Sequence, residues 1–430
     1  MKHHFNTGKG FWKTLVIAIA MLLCVTIGAT AANTVRLPGD MDWDGKLTPE
    51  DARIVLRCAV HLDSVENYMN KPTTDPSKPV SGTFKIGLIG PLTGGAAIYG
   101  NSVKNGARIA VDEINAKGGI QLNYRPEDDA HDAEQSVNAY NTLVDWGMQA
   151  LIGPITTAPA IAVSAEANDD RMFCLTPSAS SNDVIDNNDV MYQVCFTDPN
   201  QGIASADYIA DNFAGKTAAV IYRNDDDYSQ GIRDTFVAEA AAKGVNVVYE
   251  GTFTEATSTD FSVQVTAAQA ANADIVFLPI YYQPASVILK QAADIDYAPI
   301  FFGVDGMDGI LTMEGFDASL AEGVMLLTPF SADDPDAADF VAAYQTAYGE
   351  IPNQFAADGY DAIYIVYNAL LAAGCTPDMA AADICEALTA QMATMSYDGL
   401  TGDGMTWDDN GAVAKAPMAV VIKDGVYVTP

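Results

Sequence analysis

Four aspartates in GDMDWDGKLTPEDA, residues 39–52, stand at Asp40, Asp42, Asp44 and Asp51, with Gly45 between the third and the fourth. Counted from Asp40 they take positions 1, 3, 5 and 12 of a loop whose sixth residue is the turn-forming glycine and whose seventh, Lys46, offers its backbone carbonyl. Hard oxygen donors at that spacing suit Ca2+, so the loop reads as a calcium site. A second kind of chemistry is carried by small hydroxyl residues that follow short apolar runs: GPLTGG at 90–95, GPITT at 153–157 and TPSASS at 176–181. Serine and threonine hydroxyls, together with backbone N–H groups at a helix start, make an uncharged cradle for a carboxylate or phosphate. Any one such loop is better explained by helix N-capping. Three at equivalent positions point to a binding cleft.

Catalytic constellations are missing from the sequence. It has no G-x-S-x-G nucleophile elbow, no phosphate loop with its lysine, no G-x-G-x-x-G and no H-E-x-x-H. Beyond the N-terminal His3 and His4 there are only His61 and His131, too far apart in sequence to suggest general-base or metal chemistry. The chain reads as a binder, not an enzyme.

The elements that must position these loops alternate. KIGLIG, MFCLT, TAAVIY, VNVVYEGTF, DIVFLPI, PIFFG and VMLLT are strand-like apolar runs. Between them lie helical patterns, such as Val103, Ala107, Val111 and Ile114 on one face, and stretches from Gln201 to Phe213, Tyr228 to Lys243 and Pro284 to Ile295. Strand-helix alternation of this kind builds a parallel sheet covered by helices on both faces. The units are too many for one sheet of ordinary width, so two α/β lobes are expected. Ligands of such folds collect at the carboxyl ends of the strands, where the hydroxyl-rich loops fall.

Composition narrows the partners. The 430 residues carry 22 Lys and Arg against 56 Asp and Glu, a formal charge of −34, which repels phosphate backbones and anionic lipid. Nucleic acid is excluded as a partner on that ground. Lys2, Lys9 and Lys13 precede the uncharged run TLVIAIAMLLCVTIGATAA, and Ala29-Thr30-Ala31 offers a cleavage site, so residues 1–32 read as an export signal or an N-terminal anchor. Export places the remainder outside the cytoplasm, in an extracellular, cell-surface or periplasmic setting. The six cysteines, Cys24, Cys58, Cys174, Cys195, Cys375 and Cys385, are scattered and read as buried thiols, with Cys375 and Cys385 the nearest pair that export would allow to bridge. KPTTDPSKPVSG, residues 71–82, is rich in Pro, Ser and Thr and reads as a linker.

Residues 84–430 resemble the substrate-binding proteins of branched-chain amino acid ABC transporters, the type I periplasmic binding fold. The resemblance is carried by IGLIGPLTGGAAIYGNSVKNGARIAVDEINAKGGI, LIGPITTAPA, LTPSASS, FTDPNQG, VIYRNDDDYSQG, FLPIYYQPASVILKQA, FFGVDGMDG and YGEIPNQFAADGYDAIY, in that order. It implies a two-lobed clamp around an α-amino acid, with 83–199 and 329–397 in lobe I and 200–328 and 398–430 in lobe II. It further implies that Thr157, Ser178 and Ser180 hold the ligand carboxylate and that Asp305 pairs with its ammonium. Tyr99, Tyr228 and Tyr281 would wall the cleft, and Asp198 would sit where the chain crosses between lobes. The implied partner is an ABC transporter permease, and no cofactor is implied in the cleft.

Two departures are visible. A cysteine pair of some relatives falls at His131 and Thr156, and Asp305 is one methylene shorter than the glutamate some relatives use. Relatives also bind amides, urea and aromatic acids. The aspartate loop with the helix after it, within residues 33–70, is similar to a dockerin repeat because its twelfth position is Asp51. That resemblance implies a cohesin-like partner, although dockerins normally carry two repeats and one is present. An amino-acid sensor, or a binding module attached to a scaffold, is the competing reading.

Overall fold

The computed structural model describes residues 82–430. The export signal or anchor, the calcium loop with Asp40, Asp42, Asp44, Lys46 and Asp51, and the linker up to residue 81 lie outside the described residues.

Two sheets organise the chain. The first runs β2-β1-β3-β4-β5, formed by Ile120–Asp128, Gly82–Gly90, Ala150–Ile152, Cys174–Thr176 and Met191–Gln193, all parallel. Its second strand from the edge, β1, pairs Ile86 with Tyr124 on one side and with Ala150 on the other. Ile86, Leu88 and Ile89 are fully buried, as expected when helices cover both faces and the strand reads as a continuous apolar run. Helices α1 (Ala97–Lys117), α2 (Ala133–Trp146) and α3 (Thr157–Asp170) connect its strands.

The second sheet runs β14-β13-β10-β9-β8-β6-β7. Strands β6 (Thr217–Arg223), β7 (Asn246–Phe253), β8 (Ile275–Leu278), β9 (Ile300–Gly303) and β10 (Met325–Thr328) are parallel. Helices α4 (Asp198–Asn212), α5 (Asp227–Lys243), α6 (Ser262–Ala270) and α7 (Tyr282–Asp294) flank this stretch of the chain. Purely parallel pairing is not maintained to the edge: β13 (Met418–Lys423) and β14 (Val426–Val428) are antiparallel, with Met325 opposite Val421. The sequence pattern alone did not distinguish this, because a buried apolar run looks the same in either direction.

After β10 the chain returns to the first lobe and forms α8 (Ala338–Tyr348), α9 (Gln354–Ala372) and α10 (Ala381–Met392), of which α9 packs along α1. Gly106 and Gly359 make that approach possible. A Cβ on Gly106 would stand 1.8 Å from the Ala356 carbonyl oxygen, and one on Gly359 would stand 2.4 Å from that of Val103. The chain then forms the hairpin β11 (Tyr397–Gly399) and β12 (Gly402–Met405) before crossing to β13. The side chain of Lys415, on this last crossing, is almost fully buried. Its Nζ donates to the Val194 carbonyl at 2.9 Å and to Thr401 Oγ1 at 2.6 Å, and lies 3.3 Å from Asp358 Oδ1. Burial pushes Asp358 up to about 7 against the pull of that lysine. The ammonium thus ties the first crossing, at Val194, to the third.

Cys174, Cys195, Cys375 and Cys385 are free and buried, so Cys375 and Cys385 do not bridge. Among the described residues no helix is long and apolar enough to cross a membrane.

Candidate functional site

The carboxyl ends of both sheets meet at one place. On the first lobe, Thr176 Oγ1 donates to the Pro154 carbonyl at 2.6 Å and Ser178 Oγ donates to the Ile155 carbonyl at 2.7 Å, which locks the exits of β3 and β4 together. Helix α3 starts there, with Thr156 as its extended N-cap. Tyr99 comes from the first turn of α1. Facing them, Tyr228 stands in the first turn of α5, Tyr281 precedes α7, and Asp305 follows β9.

Asp305 is the electrostatic centre. It is 4% exposed, and its Oδ1 accepts from the Tyr228 hydroxyl at 2.6 Å and from the Gly306 N–H at 2.7 Å. Its own N–H donates to Gln201 Oε1, and its carbonyl accepts from Gln354 Nε2. Burial pushes the carboxyl up to about 6, opposed mainly by the Tyr228 hydrogen bond. The Tyr228 phenol is itself driven well above its ordinary value by burial, so it remains a donor.

The lobes touch directly. Tyr99 donates its hydroxyl to the Gly306 carbonyl and accepts from the Tyr282 N–H, while Tyr282 donates to the Gly95 carbonyl at 2.7 Å. Tyr99 and Tyr282 therefore reach across the cleft in opposite directions. The rings of Tyr99 and Tyr281 meet edge to face at 5.3 Å, and Tyr228 packs on Tyr281 at 4.9 Å.

Of the residues singled out in the sequence, Tyr99, Ser178, Tyr228, Tyr281 and Asp305 line one small, partly open cavity of about 10 Å³. Ile155, Thr156, Gly306 and Phe355 line it too, and sequence reasoning missed them. Thr156 is the neighbour of the expected Thr157, and Phe355 lies inside the stretch IPNQFAADGY that carried the resemblance, so signals for both were present. Thr157, Ser180 and Asp198 are buried but do not line the cavity. Ser180 Oγ, both carboxylate oxygens of Asp198 and Gln201 Nε2 make no hydrogen bond. Burial holds Asp198 well above the usual carboxylate range. The Ser180 hydroxyl lowers it in part from outside hydrogen-bond geometry. Unpaired buried polar groups are costly, and such a cluster marks a place where polar partners are owed.

A volume of about 10 Å³ holds roughly one water molecule, so an amino-acid-sized ligand needs the lobes to part or the tyrosines to move. A larger groove of about 470 Å³ opens at the other end of the first sheet, beside Thr83, Lys85 and Met379. Two of its polar side chains are committed, Lys85 Nζ to the Trp146 carbonyl and Gln149 Nε2 to the Pro377 carbonyl, and it lacks the buried carboxylate facing a hydroxyl-lined helix start of the smaller site, so chemistry rather than size selects the latter. Among the described residues no group of three His, Cys, Asp or Glu side chains is arranged to hold a metal ion.

Comparison with known proteins agrees with this fold. The family described as periplasmic binding protein matches residues 83–425. The chain is similar to the Leu/Ile/Val-binding protein BraC3 of Rhizobium johnstonii, 32% identical over 304 residues, covering 68% of this chain and 80% of that protein. Among solved structures it is similar to a leucine binding protein, LivK, of Thermotoga maritima. The TM-score is 0.72 and the identity 27%, covering 81% of this chain and 97% of the other. It is also similar to LivJ of Streptococcus pneumoniae in complex with isoleucine, at TM-score 0.72 and 26% identity, covering 81% of this chain and 100% of the other. The chain therefore belongs to the periplasmic binding protein family, as a non-enzymatic substrate-binding protein of the two-lobed α/β kind.

Proposed function

We propose that this protein captures an α-amino acid, branched-chain or closely related, between its lobes outside the cytoplasm and delivers it to the permease of an ABC importer. The observation that carries the reading is the opposition across one cavity of a buried carboxylate, Asp305, and a hydroxyl-lined helix start at Thr156 and Ser178. A zwitterion needs such a pair at fixed separation, and supplying its halves from opposite lobes makes the ligand a bridge that favours closure. In this reading Asp305 takes the ammonium, and Thr157, Ser178 and Ser180 take the carboxylate through N–H and hydroxyl groups. Tyr99, Tyr228 and Tyr281 exclude water, and Asp198 lies at the crossing. The Ser178 proton is given to the Ile155 carbonyl, so that hydroxyl must rotate to serve a carboxylate.

The experiment is a thermal-shift panel of L-amino acids, amides, urea and aromatic acids. At a hundredfold excess over Kd a ligand stabilises the folded state by about 2.7 kcal/mol. Stabilisation by aliphatic L-amino acids is expected, and a flat response to every amino acid would overturn the reading.

The N-terminal segment extends it. We read Asp40, Asp42, Asp44, Lys46 and Asp51 as a single dockerin-like calcium loop between an export signal or membrane anchor and the linker, and a cohesin-like partner as what it would engage. Calcium titration of the full chain should show one site that disappears in Asp42→Ala with Asp51→Ala, and an unchanged titration would refute it.

A further inference from the structure

Helices α2, α4, α5 and α9 all begin in the ordinary way. The side chains of Asp132, Thr197, Asp226 and Asn353 accept from the N–H groups of Gln135, Asn200, Ser229 and Ala356. Helix α3 is different even though its N-cap is a threonine in suitable extended conformation, at φ −116° and ψ 154°. Thr156 makes no side-chain cap. Its hydroxyl is instead 2.8 Å from His131 Nδ1.

The consequence falls on the helix donors. Pro159, at the third helical position, has no N–H, and the Ala160 N–H is used by the Thr156 carbonyl at 3.0 Å. That leaves the N–H groups of Thr157 and Ala158 at the positive end of a 14-residue helix, next to the cavity that Thr156 lines. An N-cap side chain accepts from the second or third helical N–H; the caps above use the third, and with Pro159 there in α3 the Ala158 N–H is the one left for Thr156. The Ser180 hydroxyl, fully buried on the same lobe, acts on the Asp198 carboxyl and does not line the cavity, so the α3 donors are the ones that the cavity meets.

His131 is held firmly enough to enforce this. Its backbone is left-handed, at φ 63°, and its N–H donates to Asp129 Oδ1 at 2.9 Å. Its ring meets Tyr281 of the opposite lobe edge to face at 5.6 Å. Burial, with Arg223 beside it, lowers its affinity for a second proton.

We propose that His131 is a positioning residue for the carboxylate cradle: by holding the Thr156 hydroxyl off the end of α3, it keeps the Thr157 and Ala158 N–H groups open to a ligand carboxylate. The proposal rests on the amino-acid reading above and adds to it the residue that prevents the helix from capping itself. An N-cap contributes about 1 kcal/mol, so a threonine released to cap α3 would compete with the ligand by roughly fivefold in affinity.

The test uses the whole exported chain and L-leucine as the probe, by titration calorimetry. His131→Ala should weaken binding roughly fivefold, and His131→Asn, which keeps a polar atom where Nδ1 stands, should stay within about twofold of wild type. The decisive variant is His131→Ala combined with Thr156→Val, which deletes the competing hydroxyl and should recover most of the lost affinity. A double variant as weak as His131→Ala overturns the proposal, because a merely structural histidine would not be rescued at Thr156. A crystal structure of ligand-free His131→Ala gives an independent answer. The Thr156 hydroxyl on the Ala158 N–H supports the switch, and an Ala158 N–H still uncapped refutes it. Should wild type bind neither L-leucine nor any other amino acid, the amino-acid reading fails by itself, and the crystal structure still decides whether His131 governs the cap.

Discussion

Replacing Asp305 with asparagine separates charge from shape at the centre of the cleft. The carboxyl accepts the Tyr228 hydroxyl and the Gly306 N–H on a single oxygen, Oδ1. Asparagine has one acceptor oxygen to offer, so both bonds survive and the loop after β9 keeps its form. Only the negative charge is lost, and an amide N–H₂ is placed where an ammonium would sit. A hydrogen bond to a charged group contributes about 1.5 to 3 kcal/mol, and the donor-donor contact that replaces it adds to the loss. The expected penalty of about 2 to 4 kcal/mol corresponds to roughly 30- to 1,000-fold in Kd. Tyr99→Phe provides the scale, since it removes two neutral interlobe hydrogen bonds, to the Gly306 carbonyl and from the Tyr282 N–H, of about 1 kcal/mol each, or at most roughly thirtyfold together. Titration calorimetry of both variants with the amino acid selected by the thermal-shift panel reads these differences directly. Thermal melts without ligand act as the control, and there Asp305→Asn should be no less stable than wild type because it removes a charge that burial already disfavours. Equal affinity for wild type and Asp305→Asn would remove Asp305 from the site and with it the zwitterion argument.

Three further outcomes follow from the same structure. With Asp305 pushed up to about 6 in the free protein and lowered by a bound ammonium, affinity should be complete above that pH. It should fall about tenfold per unit as pH drops below that value, until the bound-state pKa is reached. Calorimetry at pH 7.5 and pH 5 checks this, with Asp305→Asn as the flat control, and a pH-independent wild-type Kd would contradict it. In the absence of ligand the sign reverses. A buried carboxyl with a raised pKa contributes its full stability below its unfolded value and loses it as pH rises through about 6. Gly106→Ala would place a methyl 1.8 Å from the Ala356 carbonyl oxygen and force α1 and α9 apart, at a cost of about 1 to 3 kcal/mol. Chemical denaturation should show a lower midpoint with an unchanged slope, and an unchanged midpoint would mean that the two helices can slide without loss.

The parts of this protein that are legible in its sequence are those fixed by local rules. Continuous apolar runs such as KIGLIG are buried on both faces and could only be inner strands of a covered sheet. The hydroxyl-rich loops after those runs did end up at the carboxyl ends of β1, β3 and β4, because a strand followed by a helix leaves its connecting loop nowhere else to go. Boundaries were less exact for equally local reasons. Helix α4 begins at Asp198 and not near Gln201, since Thr197 caps it and Pro199 fits its first turn. The return strands β13 and β14 are not among the runs read as strands, and their antiparallel direction depends on how the chain crosses between lobes and not on their composition.

The chemistry of the cleft belongs to the tertiary structure. Tyr99 and Gly306 are 207 residues apart in sequence, and only the meeting of two sheets makes them hydrogen-bond partners. Whether Ser178 offers its proton to a ligand or to the Ile155 carbonyl, and whether Thr156 or Thr157 faces the cavity, are questions of a few tenths of a turn that no residue pattern encodes. The same holds for His131 and Thr156, which stand where some relatives carry cysteines and are joined here by a hydrogen bond instead. Hydrophobic periodicity sets which segments become strands and helices, because burial is averaged over many residues. Hydrogen-bond direction and helix capping turn on single atoms at distances near 3 Å, so they were decided only when the two lobes packed.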